Sequence, residues 1–272
     1  MKKLFVTLCA LGLMTFSANA WDASSRVATV GKTLLEKNGL PTTITFKVVE
    51  GIADNSEATT NNIINISKED LAQAGNDSEV AAVVSNEIGH IINGQTSKSK
   101  MRELAKQAIA NKLGSENLLS SAANSEYIVN KTNLNDEMAA DITGIDLMCK
   151  TGYNPLAMVV LITKRPTTNT LETLQGKPNN SERAMNTFDY LSYAYPNKVK
   201  TGYGCKEYTA FLTYANPIIE ERNSNSKKLA KFNKQQAKNQ TKRAKDIAQY
   251  KSTGLSEWDT SYQLLQSFTQ AR

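Results

Sequence analysis

The chain has 272 residues, enough for one domain of ordinary size with a remainder. Its net charge of +6 is unevenly spread: Pro217 to Arg272 holds 11 basic and five acidic residues, whereas Trp21 to Asn216 holds 19 and 21, so the overall basicity says little about the body. No stretch beyond the first twenty residues is apolar enough to span a bilayer, which argues against an embedded body.

Lys2 and Lys3, the apolar run Leu4 to Phe16 and the small-x-small step Ala18-Asn19-Ala20 predict an export leader, with a mature start at Trp21. The apolar run is shorter than the roughly 20 residues a membrane span needs. Export implies a soluble periplasmic or secreted protein and makes nucleic acid an improbable partner. It also places the two remaining cysteines, Cys149 and Cys205, in an oxidising compartment, where they read first as one disulfide.

Val27, Val30, Leu34 and Leu35 have helical spacing, and Asn38-Gly39 with Pro41 stops that helix. Thr43 to Val49 and Asn62 to Ile66 are rich in β-branched residues and predict strands, with a polar loop from Asp54 to Asn61 between them. Asp77 or Ser78 is the expected cap of the next helix, whose stripe is Val80, Val83, Val84, Ile88 and Ile91, ended by Gly94. Further helices are expected over Ser99 to Leu113, Asn117 to Val129, Asn135 to Lys150, Leu156 to Lys164 and Asn179 to Tyr193. From Asn223 the composition turns to Lys, Gln, Asn and Ala, which predicts a long exposed basic helix, with Trp258 to Phe268 packing back.

Chemistry concentrates in two segments. In Val80 to His90 the residues Asn86 and His90 are four apart and share a helix face, with Glu87 beside them. This is the spacing of HExxH, in which two histidines hold zinc and the glutamate polarises its water, but Asn86 stands at the first position. His90 is the one histidine of the chain. On a second helix Glu137 and Asp141 are four apart; a helix-borne carboxylate is what a His-His-Glu site uses as its third protein ligand, and a second carboxylate can orient a ligand from behind.

With both segments in order, the chain resembles the HtpX-like and CAAX-prenyl-protease-like gluzincin metallopeptidases over roughly Val27 to Leu191. The resemblance is carried by Gly39-Leu40-Pro41 before a strand, by Asn62 to Leu71 leading into Asp77 to Gly94, and by Glu137-x-x-Ala140-Asp141-x-x-Gly144-Ile145-Asp146. Gly152-Tyr153-Asn154-Pro155 follows, then Lys177-Pro178 with Arg183, similar to a later His-Pro-x4-Arg element. The resemblance implies that Glu87 is the general base, that His90, Glu137 and the degenerate position Asn86 surround zinc, and that Asp141 and Arg183 support them. It also implies that the strand residues Asn62, Ile63, Ile64, Asn65 and Ile66 pair with an extended peptide substrate.

Two departures bear on activity. Asn86 replaces a ligand histidine and Lys177 the later histidine. A carboxamide oxygen suits harder ions than zinc, and water without a metal keeps a pKa near 15.7 instead of about 7. Two functions remain open: a zinc endopeptidase of the cell envelope acting on exported or misfolded polypeptides, and a pseudopeptidase that binds extended peptides as a chaperone-like or regulatory module. The basic tail is either a solvated helix or a surface for anionic lipid or an acidic envelope polymer. The expected fold is α+β and mainly helical: a zincin-like domain with a small sheet over 21–216 and a basic helical extension over 217–272.

Overall fold

The computed structural model describes residues 23–51, 62–95, 118–166, 177–250 and 267–268. The leader (1–20), the loop Asp54 to Asn61, the expected helix Ser99 to Leu113 and Trp258 lie outside the described residues.

Helix α1 (Ala23–Asn38) buries Val27, Val30, Leu34 and Leu35. It ends where Gly39 takes φ 68 and Leu40 N–H bonds back to the Leu35 carbonyl at 2.9 Å, a left-handed C-terminal cap. Strands β1 (Thr45–Val49) and β2 (Ile63–Ser67) pair in parallel, with Thr45 opposite Ile63 and Val49 opposite Ser67. Among the described residues this is the whole sheet. Asn62 lies just outside the strand in which it was expected: its φ is 56, and its carbonyl accepts from Thr45 N–H at 2.9 Å. Gly31 admits the sheet to α1, since a Cβ there would lie 2.3 Å from the Phe46 ring.

The short helix α2 (Lys68–Leu71) leads to α3 (Asp77–Ile92), which is buried along nearly its whole length. Its cap is Asn76, one residue before the expected Asp77 or Ser78: Asn76 Oδ1 accepts from Glu79 N–H at 3.1 Å. Glu79 reaches back to the N–H of Gly75, one residue before the cap, at 2.6 Å in a variant of the capping box, and its buried carboxylate is held by Lys164 Nζ at 2.7 Å. Ser78 serves another role, its Oγ accepting from Asn154 N–H at 3.2 Å.

Helix α4 (Leu118–Thr151) is continuous where two helices were expected. It packs on α3 at unusually close range. A Cβ on Gly89 would stand 2.6 Å from the Ala140 carbonyl oxygen, and one on Gly144 would stand 3.0 Å from Ser85 Oγ. Glycine at both positions lets the two backbones touch. The apolar helix α5 (Leu156–Lys164) lies under this pair, fully within the core. Helix α6 (Ser181–Ala194) follows from Asn180, whose φ is 53 and whose Nδ2 donates to the Ile162 and Arg165 carbonyls at 3.1 Å each.

After the single turn α7 (Pro196–Val199), helix α8 (Lys206–Asn223) runs through Pro217 unbroken. The expected boundary at residue 217 therefore falls inside a helix. Helix α9 (Ser226–Tyr250) then packs on α8 and α6. Its anchor is Arg243, which donates to Asp146 Oδ2 at 2.7 Å, to Tyr190 Oη at 3.1 Å and to Thr143 Oγ1 at 3.1 Å. Asp146 is wholly buried on α4 and also accepts from the Tyr190 and Tyr195 hydroxyls at 2.7 and 2.6 Å. Phe268 is buried too, with Lys150 Nζ 4.9 Å from its ring centroid. No helix among the described residues is long and apolar enough to cross a membrane. The architecture is α+β and mainly helical with one small sheet, as expected.

Two substitutions test this packing. Gly89→Ala forces α3 from α4 and is expected to destabilise by about 1–3 kcal/mol, the usual range for overpacking, read by chemical denaturation. Arg243→Met strands the buried Asp146 carboxylate and is expected to cost on the order of 3–5 kcal/mol, with faster hydrogen exchange across α9. An α9 whose protection is unchanged would mean that Arg243 is not its anchor.

Candidate functional site

The close contact of α3 and α4 carries their polar side chains to one place. From α3 come Asn86, Glu87 and His90; from α4 come Glu137 and Asp141; α6 supplies Arg183. His90 Nε2 lies 3.1 Å from Glu137 Oε1. Asn86 Nδ2 donates to Asp141 Oδ1 at 2.8 Å, with both residues buried. Arg183 bridges the two carboxylates: its Nε donates to Asp141 Oδ2 at 2.6 Å, and one terminal nitrogen reaches Asp141 Oδ1 at 2.8 Å and Glu137 Oε2 at 2.7 Å. Glu87 is half-buried and close enough for its charge to act on His90. The structure thus brings together Asn86, Glu87, His90, Glu137, Asp141 and Arg183.

Strand β2 packs beside α3. Ile64 and Ile66 point into the core, while Ile63 is exposed and Asn65 half-buried. Lys177 is exposed; the cation facing the site carboxylates is Arg183. The expected disulfide is not formed, for Cys149 and Cys205 are not bonded to each other. Cys205 instead caps α8, its sulfur accepting from Tyr208 N–H at 3.4 Å. Reasoning from sequence missed the polar network around Asp146. Its signal was Arg243, the lone arginine in a lysine helix, on the same side as Leu229, Phe232, Gln236 and Gln240.

Ionisation follows from these contacts. Burial works to raise the Glu137 carboxyl, but the His90 hydrogen bond and the Arg183 charge outweigh it and bring it from 4.5 to about 2. Burial works to lower His90, but the hydrogen bond and charge of Glu137, with the charges of Glu87 and Asp141, hold it above 6.5. Burial also opposes the Arg183 charge, yet Asp141 and Glu137 hold it more firmly protonated than usual.

The donor set does not fit a zinc ion. His90 and Glu137 converge, but each Glu137 oxygen already has a partner, one His90 and the other a guanidinium. At the third position the Asn86 amide N–H is bonded to Asp141, and the donor left is a carboxamide oxygen, which suits harder ions than zinc. Among the described residues no three His, Cys, Asp or Glu side chains group as a metal-binding set. What the arrangement does chemically is neutralise two carboxylates with one buried guanidinium and an imidazole.

This predicts a definite pH response. Glu137, depressed toward 2, contributes stability that is present above its unfolded value near 4.5 and is lost as pH falls toward 2. His90, raised above 6.5, contributes stability that is complete below 6.5 and is lost as pH rises through its folded value. The pair is therefore strongest between 4.5 and 6.5. As the sole histidine, His90 gives a single imidazole NMR titration, expected to centre above 6.5 and to move down in Glu137→Gln. A midpoint that Glu137→Gln leaves in place would show that the two side chains do not interact.

A family model described as peptidase family M48 matches residues 22–190, a span that takes in α1 to α5, most of α6 and the entire cluster from Asn86 to Arg183. The curated proteins and solved structures compared with the chain gave no match. With more than half of the chain matched, including both helices that bear the polar cluster, the chain belongs to the metallopeptidase family M48.

Proposed function

We propose that this member of family M48 is a pseudopeptidase: it binds extended polypeptides beside its former active site and does not hydrolyse them through a metal. One observation carries the reading. Arg183 and His90 occupy both oxygens of Glu137, while Asn86 turns its amide N–H to Asp141, so charge and hydrogen bonding at the site close without an ion.

Asparagine matches one half of a histidine. Its Nδ2–H takes the place of the imidazole Nδ1–H, the group that a ligand histidine commonly donates to a carboxylate behind it. It has no counterpart of the Nε2 that would meet the metal. Glu87 then has no metal-bound water to act on, and a carboxylate alone does not supply the change of water pKa from 15.7 to about 7 that zinc gives. Polypeptide in extended form is the class of client, because β2 lies alongside α3 and carries Ile63 outward as one of the few exposed large hydrophobic residues among the described residues. The leader-like stretch Lys2 to Ala20 supports export, so the clients we assign are exported or misfolded chains of the cell envelope.

Elemental analysis of the purified full chain is expected to find close to no zinc, and Asn86→His to raise zinc affinity by roughly 10–100-fold or more. A permanently unfolded polypeptide such as reduced carboxymethylated lactalbumin is expected to bind equally well with and without chelator. About one zinc per chain, with casein cleavage that Glu87→Gln abolishes, would make the protein a zinc endopeptidase and overturn the proposal.

A further inference from the structure

Helix α9 has two unlike sides. Leu229, Phe232, Gln236, Gln240 and Arg243 lie toward the body, where Phe232 stacks on Arg222 with the guanidinium 3.8 Å from its ring centroid. At about 100° per residue, Lys227, Lys231, Lys234, Lys238, Lys242 and Lys245 fall within an arc of roughly 80°, opposite that side. All six are exposed. At a 1.5 Å rise they span about 27 Å, and no acidic, aromatic or aliphatic side chain interrupts the arc; Gln235 and Thr241 border it, and Lys228 and Asp246 stand about 40° beyond its edge.

We propose that this lysine ridge is a docking surface for a bilayer of anionic phospholipid, on which the chain adsorbs with α9 parallel to the membrane plane. The shape of the ridge selects a plane. Proteins that hold a linear polyanion run it along a basic groove and stack aromatic rings against it. Here the cations stand on the outermost, convex side of a helix docked by its opposite side, with no wall and no ring beside them among the described residues. A flat array of headgroups meets all six at once. The choice of lysine agrees: its ammonium is a point charge on a flexible stem, suited to mobile headgroups, whereas arginine favours fixed bidentate partners, and the one arginine of α9 is turned inward.

With no apolar side chain on the ridge, the helix does not insert as an amphipathic anchor does, since its apolar side is spent on the body. Attachment is therefore electrostatic and falls away as salt shortens the screening length. The anchor of α9 at Asp146 lies on the same helix as Glu137 and Asp141, so adsorption sets the orientation of the polar site to the membrane. None of this depends on whether the site cleaves peptide.

Vesicle co-sedimentation of the full chain tests the proposal, using phosphatidylcholine with and without 30% phosphatidylglycerol, a fraction of about the size that gives a cell membrane its negative surface. Binding is expected only to the anionic vesicles, and to be lost in about 0.5 M salt. The combined substitution Lys231→Gln, Lys234→Gln, Lys238→Gln and Lys242→Gln is expected to weaken binding by roughly 100–1,000-fold, the order expected for the loss of four surface charges. The charge-matched control Lys32→Gln, Lys37→Gln, Lys47→Gln and Lys200→Gln is expected to bind as wild type. Equal loss in both variants, or salt-resistant binding, overturns the ridge as the docking element. Failure to bind vesicles, together with binding of inorganic polyphosphate that the first variant loses, overturns the bilayer in favour of a linear polyanion.

Discussion

The structure depends on the distance between α3 and α4. Gly89 sits against the Ala140 carbonyl and Gly144 against Ser85, so the two helices meet backbone to backbone along a seam. Side chains leaving either helix at the edge of that seam have little room to diverge. Asn86 reaches Asp141 and His90 reaches Glu137 across it at hydrogen-bond distance. The polar site is thus a consequence of the packing. The near-complete burial of α3, from Val80 to Ile92, holds its register against α4.

Two buried aspartates on α4 repeat one device. Asp141 is neutralised by Arg183 from α6, and Asp146 by Arg243 from α9. A buried carboxylate is costly unless it is paired and its remaining lone pairs are bonded. Asp141 meets this with Asn86 and the Nε–Nη2 edge of a guanidinium, Asp146 with two tyrosine hydroxyls and a guanidinium. Each pair ties a later helix to the central one, the first at the polar cluster of α3 and α4 and the second at the C-terminal arm. Tyr190 on α6 joins the second network, so α4, α6 and α9 are held through one set of side chains.

Much of this was legible in the sequence, for a physical reason. Periodicity marked α3 and α5 because both are buried on most sides and their apolar residues recur without interruption. The four-residue spacings of Asn86 with His90 and of Glu137 with Asp141 located the site because those pairs share helix faces. The continuity of α4 through Lys131 and Asn133 was not legible: polar residues there break the apolar pattern without breaking the helix. Nor was the docking of α9, whose inward side is made of Gln236, Gln240 and Arg243, polar residues that a search for an apolar stripe passes over. The cap at Asn76 instead of Asp77 or Ser78 is a shift of one residue among three good capping types, decided by where Glu79 can close the box. The cysteine pairing failed because compartment and parity say which thiols are eligible and nothing of whether the fold brings them together.

Asparagine at position 86 is the informative choice. Alanine there would remove the metal ligand and also leave Asp141 short of a donor in a place sealed from water. Leucine would do the same and overfill a seam that has no spare volume. Asparagine keeps the one bond the fold needs, Nδ2 to Asp141, and offers in place of the imidazole nitrogen only a carboxamide oxygen, a weak ligand for zinc. Arg183 completes the arrangement, satisfying both Asp141 and Glu137 from α6.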